Sequence, residues 1–167
     1  VAEFSFDVAS SAEKRTVKMP ANITYSTGDS DTRITEEADF SFHLTGRPQF
    51  EITEVDSNLR KGESGKVELT VTNTGQEKAS STRVRVLDSS DQPFSYESAS
   101  QYVGTLEPGQ NGTAVFDVSV ESESSVKNYL IDFEIRGVKN TETYVESTTA
   151  EVKVANGEKN SGLPILP

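Results

Sequence analysis

Residues 106–120 read Leu-Glu-Pro-Gly-Gln-Asn-Gly-Thr-Ala-Val-Phe-Asp-Val-Ser-Val. Pro108-Gly109 suits the central positions of a type II turn, because proline presets the first φ and glycine accepts the positive second one. A strand follows at once: Ala114, Phe116, Val118 and Val120 alternate with Val115, Asp117 and Ser119. Alternation of period two places one set of side chains on a buried face and the other in water. A turn feeding a half-buried strand is the unit from which an all-β chain is built.

The unit recurs in both directions from that stretch. Upstream, strands are expected over residues 49–56, 66–73, 81–87, 93–97 and 101–106; downstream, over 127–136 and 142–155. Lys61-Gly62-Glu63-Ser64-Gly65, Asn73-Thr74-Gly75 and Asp88-Ser89-Ser90-Asp91 separate them as turns or loops. Asn73-Thr74-Gly75 is read as leaving its strand through a left-handed position. Tyr96 and Tyr102 are read as strand packing residues, with sugar stacking as the other reading. About eight strands over some 110 residues is the density of an antiparallel β-sandwich. Nothing in the chain has helical periodicity. Before the Gly46-Arg47-Pro48 break, three more strands are expected, over 2–9, 16–26 and 35–45.

Composition narrows the function classes. The 167 residues carry a formal charge of −11, so bulk electrostatics will not draw the chain to nucleic acid or an anionic membrane. There is no cysteine, which removes disulfides, thiolate zinc sites and cysteine nucleophiles. No apolar run approaches the about 20 residues of a membrane span.

The first residues repeat the last ones. Shifted by 112 positions, Ala2, Phe4, Phe6 and Val8 fall on Ala114, Phe116, Val118 and Val120. Val17, Met19 and Ile23 fall on Tyr129, Ile131 and Ile135, and Ala38, Phe40 and Phe42 on Ala150, Val152 and Val154. Residues 1–46 then read as the C-terminal three strands of a first, incomplete domain, followed by a complete one over 48–156. Three strands with one apolar face cannot hide that face alone. Phe4, Phe6, Met19, Ile23, Phe40, Phe42 and Leu44 are the candidate interface, covered by upstream sequence, by strands from another chain, or by the second domain.

Groups that could carry chemistry are few. Asn22-Ile-Thr24 and Asn111-Gly-Thr113 are sequons, making Asn22 and Asn111 the glycosylation candidates. Asp29/Asp31, Glu36/Glu37 and Asp88/Asp91 are acidic pairs that fall short of the several oxygens calcium needs unless others converge on them. His43 is the only histidine, and no Gly-x-Ser-x-Gly elbow is present. Arg83 and Arg85 flank Val84 and so belong to a solvent face, paired with acids. No catalytic, cofactor or metal constellation is read.

Asn58-Leu-Arg-Lys-Gly-Glu-Ser-Gly65, Val67-Glu-Leu-Thr-Val-Thr-Asn-Thr-Gly75 and Tyr102-Val-Gly-Thr-Leu-Glu-Pro-Gly109 together carry a family resemblance. They resemble the Ig-like β-sandwich repeats of archaeal exported, S-layer-associated surface proteins, and are similar to CARDB-type adhesion modules. The chain departs at its first turn, where Lys61 stands in place of the usual proline. The resemblance covers 48–156, with 1–46 as a partial copy.

The resemblance implies a non-enzymatic structural or adhesion module of an extracellular cell-surface protein built of tandem Ig-like domains. Its partners would be the neighbouring domains or chains that cover 1–46, with cell-surface glycans or proteins beyond them. Residues 157–167 resemble a membrane-proximal linker, so membrane contact is expected only through an anchor after it. Two other functions fit the residues. One is a filament subunit completed by strand donation from a neighbour. The other is a carbohydrate-binding accessory module, which needs Tyr25, Tyr96, Tyr102 or Tyr144 to form one exposed platform.

Overall fold

In the computed structural model, residues 3–9, 12–26, 28 and 32–157 are described, and every regular element among them is a β-strand. The chain divides into two compact units, Val1–Gly46 and Arg47–Pro167. The first unit holds β1 (Arg15–Ser26) and β2 (Arg33–Leu44). The second holds β3 (Phe50–Ser57), β4 (Leu59–Arg60), β5 (Ser64–Asn73), β6 (Ala79–Leu87) and β7 (Phe94–Tyr96), then β8 (Ser100–Leu106), β9 (Asn111–Val120), β10 (Asn128–Lys139) and β11 (Glu142–Ala155).

The second unit is the expected sandwich. One sheet runs β3-β5-β9-β7 and the other β4-β11-β10-β6-β8. The pairs are antiparallel except β4 with β11, where Leu59 and Arg60 lie parallel to Val154 and Ala155. Alternation along β5 and β9 turns Val67, Leu69, Val71, Ala114, Phe116 and Val118 inward from one sheet. Val84, Ile131, Phe133, Ile135, Val152 and Val154 meet them from the other. Phe116 and Phe133 touch between the layers, with ring centroids 5.5 Å apart. Each such ring contributes about 1.5–3 kcal/mol by leaving water.

The Glu107–Gln110 turn closes as the sequence predicts. Gln110 N–H donates to Glu107 O at 2.9 Å, and Gly109 has φ +78°. The Arg60–Glu63 turn has the same form despite Lys61: Glu63 N–H donates to Arg60 O at 3.1 Å and Gly62 has φ +74°. Lysine is needed there for its backbone. Lys61 N–H donates to Ala155 O at 3.0 Å and extends the β4–β11 pairing, a bond that proline could not make.

The first unit is a twelve-pair hairpin in which β1 and β2 run from Arg15↔Leu44 to Ser26↔Arg33. Its pairs alternate in kind. Val17↔Phe42, Met19↔Phe40 and Ala21↔Ala38 share the apolar face; Thr16↔His43, Lys18↔Ser41 and Asn22↔Glu37 share the polar one. The last hairpin of the second unit, β10–β11, pairs Tyr129↔Val152, Ile131↔Ala150 and Phe133↔Thr148 in the same alternation.

The two registers differ from the simple 112-residue shift by a correction of two. Met19 pairs with Phe40 as Ile131 pairs with Ala150, so β1 matches β10 at 112 positions and β2 matches β11 at 110. Phe40, Phe42 and Leu44 then correspond to Ala150, Val152 and Val154. Gly28 and Asn140, 112 positions apart, are both left-handed, with φ 49° and 55°.

Residues 3–9 depart from expectation, because no strand ladder includes them. Their counterpart β9 pairs on one side with β5 and on the other with β7. Among the described residues of 1–46 there are no strands equivalent to those two, so the alternation of Phe4, Phe6 and Val8 has no hydrogen-bonding neighbour there. Ala2 and residues 158–167, which include most of the expected tail, lie outside the described residues.

Candidate functional site

The apolar face of the first unit is a surface that its own unit leaves uncovered. Met19, Ile23 and Phe40 project from the hairpin and remain 44–45% exposed. Phe42 and Leu44 are half-buried. Phe6 lies edge-on to Phe42 with centroids 4.9 Å apart, which places the 3–9 segment on this face. Phe6, Val8, Val17, Met19, Phe42 and Leu44 line an apolar cleft there, and Asp7 is its single charged residue. Phe4 is 81% exposed. Towards the turn the face becomes polar, where Tyr25 Oη donates to Glu36 Oε1 at 3.1 Å. All seven interface candidates thus belong to one unit, and six lie on the hairpin or in contact with it.

A second constellation was missed by sequence reasoning. Asn73 is completely buried, and its side chain ties three chain segments together. Its Oδ1 accepts from Gly75 N–H at 3.0 Å and Gln49 N–H at 3.3 Å. Its Nδ2 donates to Glu77 O at 2.8 Å and Leu106 O at 3.0 Å. Its backbone carbonyl accepts from Gly109 N–H at 2.7 Å. The Asn-Thr-Gly and Pro-Gly motifs therefore meet in space.

Gly75 is not left-handed, contrary to the sequence reading. Glycine is required because a Cβ there would collide with the backbone of Arg47, Pro48 and Gln49. The signal for Asn73 lay in its parity: it continues the inward series Val67, Leu69, Val71. A polar residue on an inward position must be satisfied by hydrogen bonds.

Within the second unit, Tyr96, Tyr102 and Tyr144 do not make a platform. Tyr96 packs inward against the core, and burial, with the Asp88 charge second, pushes its phenol well above the ordinary value. Its hydroxyl is buried without a hydrogen-bond partner. Tyr144 packs partly inward on β11 and donates to Glu142 Oε2 at 2.6 Å, which holds its phenol up.

Tyr102 is the exception to the packing expectation. It projects outward from β8, 60% exposed, with the Arg83 guanidinium 6.0 Å from its ring centre. A bulge causes the change of face: Ser81 and Gly104 have φ 54° and 107°, and the β6–β8 register shifts between Ala79 and Arg83. Tyr102 and Leu106 therefore face opposite ways despite their even spacing. Tyr102 and Tyr144 also stand three strands apart, about 14 Å.

Asn22 is exposed on the polar face of the hairpin, and Asn111 is exposed at the start of β9, directly after the Pro108-Gly109 turn. His43 is exposed, with Nδ1 3.2 Å from Thr16 Oγ1. Arg83 and Arg85 point to solvent, and Arg85 Nε lies 4.0 Å from Glu134 Oε1. Among the described residues no three His, Asp or Glu side chains converge as metal ligands, and Asp29 and Asp31 lie outside those residues. No helix among the described residues is long and apolar enough to cross a membrane.

Comparison with known proteins agrees with this architecture. An uncharacterized protein of Methanocaldococcus jannaschii is 30% identical over 163 residues, which is 95% of this chain and 29% of the relative. The chain thus spans under a third of the length of the curated relative it matches. Residues 47–135, more than half of the chain, match CARDB, an Ig-like adhesion-type module. That match places the chain: it belongs to the CARDB family.

Proposed function

We propose that this chain is a non-enzymatic structural and adhesion module of an extracellular cell-surface protein built of tandem Ig-like domains. The observation that carries the reading is the CARDB match over residues 47–135. The residues that make the family pattern recognisable act as architecture. Asn73, Gly75, Gly62 and Gly109 close turns and tie segments, and none presents a reactive group.

In this reading residues 1–46 are the end of a first Ig-like domain, 48–156 are a complete second one, and 157–167 lead toward a membrane anchor. The matched parity of β1–β2 and β10–β11 supports the tandem arrangement. The length of the M. jannaschii relative leaves room for further domains, and its organism agrees with an archaeal source. Asn22 and Asn111 are exposed and so accessible to glycan transfer.

The test is location. Antibody raised against this chain is expected to label intact, unpermeabilised cells, and protease added outside is expected to remove the label. Labelling that appears only after lysis overturns the reading. Intact mass of the native protein is expected to carry added hexose, mapping to peptides containing Asn111 or Asn22.

A further inference from the structure

We infer that residues 3–9 are the central strand of a second β-layer, and that the strands flanking it come from the polypeptide preceding residue 1. This rests on the tandem-repeat reading of 1–46 and names what covers the apolar face.

The complete unit shows what the face lacks. There, β9 lies between β5 and β7 and presses Phe116 onto Phe133 of the opposite sheet. In the first unit, residues 3–9 carry the same alternation and already sit on the hairpin through Phe6 and Phe42. They have the layer position of β9 without its ladders. Among the described residues the hairpin has both its strands paired, while residues 3–9 have a ladder on neither side. The occupant is therefore a segment laid out like residues 50–106, which supply β3 to β8 of the second unit.

Two observations favour the same polypeptide over a second copy. In the second unit, β3 to β8 immediately precede β9 in the chain, so a tandem repeat places the equivalent strands just upstream of residue 3. Also, the stretch of the M. jannaschii relative that aligns with this chain is only 29% of that protein, so most of that polypeptide lies outside it. A second copy of residues 1–46 would bring another hairpin with the same apolar face, and no strand equivalent to β5 or β7.

Hydrogen exchange tests this on purified protein, by comparing residues 1–167 with the full-length chain. In the full-length chain, backbone amides of residues 3–9 are expected to exchange about 100-fold or more slowly than in residues 1–167, because ladder bonds now hold them. Phe6→Asp in the full-length chain is expected to abolish that protection, while Ser5→Lys, on the opposite face, keeps it.

Fast exchange of 3–9 in a folded full-length chain overturns the inference. So does protection that appears in residues 1–167 alone as concentration rises, together with a dimer mass, since the cover is then a second copy. The cell-surface reading is judged on intact cells, so either can fail without the other.

Discussion

The β1–β2 and β10–β11 hairpins are the same device in two environments. Both alternate apolar and polar pairs, and both turn through a left-handed residue, Gly28 or Asn140. Ile131, Phe133 and Ile135 are completely buried, while Met19, Ile23 and Phe40 are nearly half exposed. The difference does not lie in the strands, whose apolar faces carry side chains of similar total size. It lies in the opposite layer. A hairpin specifies which face is apolar, and only a second sheet turns that face into a core.

The largest effect that can break this comparison is a cavity. Phe133→Ala is expected to destabilise the second unit by about 4 kcal/mol, whereas Phe40→Ala, on the corresponding face of the first hairpin, is expected to change stability by no more than about 0.5 kcal/mol in this chain. Urea unfolding followed by tyrosine fluorescence measures both, and equal losses would show that the first hairpin already has a cover.

Asn73→Ala comes next. It leaves the Leu106 and Glu77 carbonyls and the Gln49 N–H without their partner, and is expected to cost about 3 kcal/mol. Asn73→Asp is expected to be no better, because a carboxylate cannot donate to the two carbonyls. A melting temperature lowered by only a degree or two in either variant would remove Asn73 from its central position.

Lys61→Pro presets the φ of the turn, yet is expected to lose about 1–2 kcal/mol, because the bond from Lys61 N–H to Ala155 O disappears. A gain in stability would mean that the β4–β11 extension contributes little.

The smallest effect concerns Tyr96. Tyr96→Phe removes a buried, unpartnered hydroxyl and is expected to stabilise by about 1 kcal/mol. The folded state holds this phenolic proton more tightly than the unfolded chain does. Its contribution is therefore whole below the ordinary value of 10.0 and is lost as pH rises above it. Stability of Tyr96→Phe is expected to fall less between neutral pH and pH values above 10 than that of the parent, as read by parallel denaturant titrations.

Most of the sandwich was legible because Val67–Val71, Ala114–Val120 and Tyr129–Ile135 put an apolar residue at every second position, and period two is the strongest local signal a strand can give. What escaped has physical causes. β4 is two residues long and is recognisable only through its parallel partner β11. Tyr102 reads as a packing residue alongside Tyr96, but the bulge at Ser81 and Gly104 turns it to the face opposite Leu106. Residues 3–9 have the pattern of a strand, but hydrogen-bonding neighbours are a property of the sheet, not of the segment. Of the candidate surface, Val8 and Val17 line the cleft without standing among the interface candidates, while Phe6, Met19, Phe42 and Leu44 were readable from parity. The four hydrogen bonds of the Asn73 side chain were not, since they join segments up to 33 residues apart.

The parallel pairing of β4 with β11 has a mechanical consequence. If tension is transmitted along the backbone through the second unit, it enters near Arg47 and leaves near Gly157. It therefore loads β4 from its N-terminal side, through β3 and the β5 ladder that holds β3, and β11 from its C-terminal side. Parallel strands loaded this way slide along each other, so the bonds at Leu59, Arg60 and Lys61 bear the load together instead of opening one after another. A small patch of parallel sheet can thus act as a shear clamp, resisting extension more strongly than its few hydrogen bonds resist heat.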